Sequence, residues 1–65
     1  MNVTYFQDTD TLYIQFRSSD VAETRELDKH TLLDLDAHGG LCGLTLEHAK
    51  ARTDVTQVMF DQIPA

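Results

Sequence analysis

The residues predict an α+β domain that is mainly β: an antiparallel sheet of about four strands, arranged as two hairpins, with a short C-terminal helix. Three observations carry that prediction. Apolar side chains fall at every second position of Leu12-Tyr13-Ile14-Gln15-Phe16 and of Cys42-Gly43-Leu44-Thr45-Leu46, the period at which a strand presents one face. Polar turn formers separate the runs, at Gln7-Asp8-Thr9-Asp10 and at Ala37-His38-Gly39-Gly40. Only after Arg52 does the apolar spacing lengthen to three or four, in Val55, Val58, Met59 and Ile63.

The first hairpin joins residues 3–6, which favour strand, to residues 12–16, rich in aromatic and β-branched types. Asp8-Thr9-Asp10 supplies the short polar side chains that bond back to local backbone in a turn. Leu12, Ile14 and Phe16 share one face; Tyr13 and Gln15 share the other. Residues 21–27 read as a weak, edge-like strand whose charges on both faces discourage pairing with a stray chain. Asp28-Lys29-His30 reads as a further turn.

The second hairpin is the clearest. Residues 31–36 and 41–46 flank Gly39-Gly40, glycines able to take the positive φ of a tight connection. Leu33 and Leu35 oppose Leu32, Asp34 and Asp36, while Cys42, Leu44 and Leu46 oppose Leu41, Gly43 and Thr45, giving one apolar side and one mixed side. Thr53 or Asp54 then caps a short helix over 54–62, and a last strand through Val55 to Phe60 is the competing reading, since Val, Thr and Phe also suit a sheet. Pro64 ends either.

With 65 residues and no composition break, residues 1–65 form a single domain. A chain of this size buries only roughly 60% of the surface it exposes when unfolded, so small domains commonly add disulfides, a metal or oligomerisation. One cysteine, Cys42, forms no internal disulfide, and no Cys/His quartet is present for a tetrahedral zinc. A homo-oligomer is the remaining route, and a homodimer that merges two half-cores is favoured. The alternation of Cys42 with Leu44 and Leu46 makes it an inert core thiol, and a lone thiol fits a reducing, cytoplasmic compartment.

Eleven acidic residues against five basic ones give a net charge of −6. That balance repels phosphate backbones and anionic lipid, so neither nucleic acid nor membrane is an expected partner; it favours a basic protein electrostatically, and equally serves solubility alone. No apolar run approaches the roughly 20 residues of a membrane span, and the N-terminus lacks a basic start followed by an apolar stretch.

Candidate chemistry is thin. Asp34 to Gly39 matches the first, third and sixth positions of a calcium loop but offers His38 and Thr45 where an oxygen donor and a bidentate glutamate belong. His30, His38 and His48, with Asp36 or Glu47, are donors suited to a transition metal, yet no pair has a helical or hairpin spacing that fixes two ligands toward one point. Ser18 and Ser19 have no base at a defined distance and no glycine elbow around them. Gly39-Gly40 and Gly43 precede no helix start or lysine that would make a phosphate cradle. The reading therefore assigns no catalytic, cofactor-binding or metal-binding residues and no cofactor. It keeps Asp10, Asp34 and Asp36 as an acidic surface patch.

The order of Tyr5, Asp10, Leu12-Tyr13-Ile14, Val21-Ala22-Glu23-Thr24, Leu33-Asp34-Leu35-Asp36 with Gly39, then Gly43-Leu44 and Ala49 resembles the bacterial domain of unknown function 2283 family. The resemblance runs over about residues 3–49. It implies a small β-rich cytoplasmic protein without an assigned activity. Phe6 stands where the family usually has aspartate and Thr45 where it has an acidic residue, so any ligand site built on those acids is incomplete here.

Two functions follow as expectations. The first is a non-catalytic, oligomeric protein-interaction module whose acidic surface holds a basic protein, in one version as an antitoxin-like cover for a small basic toxin. The second is a small enzyme, or a metabolite or metal binder, with a pocket between subunits that draws on Tyr13, Asp10, Asp34 and Asp36.

Overall fold

A computed structural model describes residues 1–53, and the element expected over 54–62 lies outside the described residues. Five strands precede one helical turn: β1 (Asn2–Phe6), β2 (Thr11–Gln15), β3 (Glu23–Asp28), β4 (Thr31–Leu35), β5 (Leu41–Glu47) and α1 (Ala49–Arg52). All pairings are antiparallel, in the order β1-β2-β5-β4-β3. Residues 16–22 carry the chain from β2 to the far edge. They are tied back by the N–H of Phe16 on the Cys42 carbonyl at 2.7 Å and that of Ala22 on the Leu35 carbonyl at 2.8 Å.

The sheet thus has five strands, not about four. The segment expected to be a weak edge is a six-residue strand, hydrogen-bonded to β4 and exposed at every position. An edge strand with water on both faces has no apolar side to alternate with a polar one, so its sequence lacks the period that marks the others. It adds a third hairpin, turning through Lys29-His30.

Register fixes the two faces. Cross-strand partners Val3, Ile14, Leu44 and Leu33 line up across four strands, and beside them run Tyr5, Leu12, Leu46 and Thr31. Leu12 and Cys42 are each 1% exposed. The opposite face carries Gln15, Gly43, Asp34 and Thr24 in one row, and Thr4, Tyr13, Thr45, Leu32 and Glu26 in the next. A register shift between Asp34 and Leu35 sets Leu35 against Leu41 at the glycine-turn end.

The chain after β5 turns at His48, which has φ 55°, and starts α1 with Ala49 fully buried. The Ala49 N–H donates to the Asp10 carbonyl at 2.9 Å. Arg52 reaches back, donating through Nη2 to the Thr31 hydroxyl at 2.6 Å and through Nη1 to the His30 carbonyl at 2.7 Å. Thr31 is 3% exposed, and a polar group so enclosed needs that partner. Among the described residues no helix is long and apolar enough to cross a membrane.

Candidate functional site

Of the three aspartates chosen from the sequence, Asp10 and Asp36 stand at opposite ends of the sheet, with Asp34 on its mixed face. Each is held by its own set of donors. Asp34, on the mixed face, accepts the Tyr13 hydroxyl at 3.0 Å and the Thr24 hydroxyl at 2.9 Å. Tyr13 reaches it by lying across Gly43, where an added Cβ would stand 2.6 Å from the phenol oxygen. Burial, and then the Asp34 carboxylate, push the Tyr13 hydroxyl above its ordinary value.

Asp10 closes the β1–β2 turn with φ 53°, a left-handed conformation that aspartate tolerates better than most residues. Its carboxylate accepts the Tyr5 hydroxyl at 2.6 Å and the Lys50 N–H at 3.2 Å. The Tyr5 hydrogen bond holds the Asp10 carboxyl below the usual range and raises the Tyr5 phenol in turn. An open hollow of about 380 Å³ beside this turn is lined by Tyr5, Phe6, Gln7, Asp8 and Thr9.

Asp36 sits at the opposite end of the sheet, where it organises the glycine turn. Its Oδ1 accepts the N–H groups of Gly40 at 2.8 Å and His38 at 2.9 Å, and Arg17 pairs with its Oδ2. Those two N–H groups, with Arg17 behind them, lower its pKa. Gly39 takes φ 78° in the same turn, as the glycine pair predicted. Cys42 is a buried free thiol, matching its alternation.

The same three-residue pattern builds the β3–β4 turn. Asp28 Oδ1 accepts the His30 N–H at 2.9 Å, and Arg52 lies 3.8 Å from Asp28 Oδ2. The His30 N–H bond is the first cause of a lowered Asp28 pKa. Beyond that likeness the two Asp-x-His turns differ. The N–H of Glu47 donates to the His30 carbonyl at 2.9 Å, which places the end of β5 beside the turn. His30 Nδ1 stands 3.5 Å from Glu47 Oε1, and the His30 and His48 rings meet edge to face with centroids 4.5 Å apart and planes at 88°.

The contact between the His30 and His48 rings is one that the sequence did not single out. Their separation along the chain carries no ligand spacing, but the pairing of Thr31 with Leu46 puts the residues that flank it side by side. The signal lay in the strand register. Among the described residues no group of three or more His, Cys, Asp or Glu side chains could hold a metal ion.

The described residues form a five-stranded antiparallel sheet, with Asp10 and Asp36 at its two ends and the Tyr13–Asp34 bond on its mixed face. The family model described as "Protein of unknown function (DUF2283)" matches residues 2–50, and the chain belongs to that family. No curated protein and no solved structure matches the chain.

Proposed function

We propose that this chain is a non-catalytic protein-interaction module that works as a homo-oligomer, a homodimer in its simplest form, and uses its acidic exterior to hold a basic protein. The observation that carries the reading is the apolar face. Val3, Ile14, Leu33, Leu44 and Leu46 share it, yet all five are only half-buried; of its apolar side chains among the described residues just Leu12 and Cys42 are closed off. Among the described residues the one element outside the sheet is α1, four residues long with only Ala49 buried.

A single sheet with a wet apolar face is a poor stopping point, because roughly 25 cal/mol is gained per Å² of apolar surface removed from water. Stacking a second copy face to face removes that surface from both chains at once. The partner's sign follows from the net charge of −6, with Glu23, Glu26 and Asp28 on the fully exposed edge strand. An antitoxin-like cover over a small basic toxin, in a bacterial cytoplasm, is the specific form we favour.

The mass of the tag-free protein in dilute solution tests this. Sedimentation equilibrium is expected to give twice the 7.4 kDa chain mass, and Leu44→Glu is expected to shift it toward one chain. A monomer at all concentrations rejects the reading.

A further inference from the structure

We propose that the outer edge of β1 is a self-pairing surface, along which β1 of a second copy runs antiparallel and joins two five-stranded sheets into one. An outer strand offers a row of unpaired N–H and C=O groups, and proteins blunt such edges with charge, proline, bulges or shortness. The two outer strands of this sheet differ in that respect. β3 carries Glu23, Arg25, Glu26 and Asp28, and a register shift between Glu26 and Asp28. β1 reads Asn2-Val3-Thr4-Tyr5-Phe6, without a charge or a proline, and pairs with β2 residue for residue without a shift. It is as long as β2 and β4, and among the described residues nothing pairs with its outer side. In a chain with eleven acidic residues, it is the outer strand where two copies can meet without setting carboxylate against carboxylate.

Symmetry fixes the register. Only alternate residues of an outer strand point N–H and C=O outward, so in a two-fold antiparallel pair each such residue must meet another of the same set. The axis therefore passes through a residue, and with the axis at Thr4 all five residues of β1 are paired. Thr4 then faces Thr4 of the partner subunit and Val3 faces the partner's Tyr5, like-hydroxyl and β-branched–aromatic pairs that stabilise a ladder. The Tyr5 ring is already held through its hydroxyl on Asp10 at 2.6 Å, so little freedom is lost when it is covered. Phe6, 51% exposed, is covered in part by the partner's Asn2. Side-by-side pairing keeps each face on its own side, so Val3 and Tyr5 carry the apolar face across both sheets. Since β3 refuses the same contact, this pairing closes at two sheets. It does not rest on the face-to-face stacking proposed above, because Thr4 lies on the mixed face.

Oxidative cross-linking of the tag-free protein tests it. Residues directly opposite in an antiparallel ladder have Cα atoms roughly 4.5–5.5 Å apart, within the roughly 4.4–6.8 Å span of a disulfide. Thr4→Cys is therefore expected to link most chains into pairs under mild oxidation, read on a non-reducing gel. Asn2→Cys stands roughly 13 Å along the strand from its counterpart, and Thr24→Cys lies on β3, so both are expected to stay single. Cys42 is buried and common to all three. Sedimentation equilibrium gives a second readout. In the Leu44→Glu chain, which lacks the face contact, mass is expected to double as concentration rises, and adding Thr4→Lys is expected to abolish that rise. Failure of the stacked-face reading leaves both results as stated. A Thr4→Cys yield no higher than those of Asn2→Cys and Thr24→Cys, as when another strand occupies the edge, overturns the proposal. So does a Leu44→Glu chain that stays single at every concentration, or a rise in mass that survives Thr4→Lys.

Discussion

The two faces of this sheet are held by different physics. One is a band of aliphatic side chains, Val3, Leu12, Ile14, Leu33, Leu44 and Leu46, whose worth grows with the water it excludes. The other has at its centre a chain of directed bonds, Tyr13 to Asp34 and Thr24 to Asp34, that crosses β2, β5, β4 and β3 over Gly43. The first is indifferent to geometry and gains from whatever excludes water from it. The second is exact about geometry, already satisfied, and asks for nothing more. In the proposed dimer, the contrast says which face the second copy should cover.

Substitutions on each face sharpen that contrast. The largest expected effect is Leu12→Ala, which empties a side chain 1% exposed and should cost about 2–5 kcal/mol in chemical denaturation. On the mixed face, Gly43→Ala drives a methyl to 2.6 Å from the Tyr13 oxygen and 3.2 Å from Asp34 Oδ2. The ring must move off its bond, and about 1–3 kcal/mol should be lost. Tyr13→Phe keeps the ring over Gly43 and leaves Asp34 its Thr24 partner, so about 1 kcal/mol is expected.

The smallest effect is one of pH. Folding raises the Tyr13 pKa, so its neutral form is favoured in the native state. The stability this brings is complete below the unfolded tyrosine value, about 10, and is lost as pH rises through the higher folded value. Thermal melts should therefore fall off above pH 10 less steeply in Tyr13→Phe than in the parent. An identical alkaline limb would remove Tyr13 from the account. Tyr5, raised by Asp10, supplies the part that should persist.

Much of this was legible in the residues. Alternation in Leu12-Tyr13-Ile14 and Cys42-Gly43-Leu44 named both faces, and Gly39 named the turn that needed a positive φ. Three things were not. Glu23–Asp28 is the edge strand that residues 21–27 suggested, but with charge on both sides nothing marked β4 as its partner. The α1 turn has no side-chain cap at His48 to announce it. The acidic residues gave a count but not a place: Asp10 and Asp36 stand at opposite ends of the sheet, and each is consumed by its own turn. The His30–His48 pair belonged to the same blind spot, because it is made by register between strands rather than by spacing along one.

The central claim is that the face bearing Leu33 and Leu44 is shared with a second copy. Isotope-filtered NMR on an equal mixture of labelled and unlabelled protein tests it most directly. Intermolecular contacts are expected at the methyls of Ile14, Leu33 and Leu44, with none at Leu32 or Thr45 on the opposite face. Contacts confined to single chains, or intermolecular contacts at Leu32 and Thr45 instead, would contradict it.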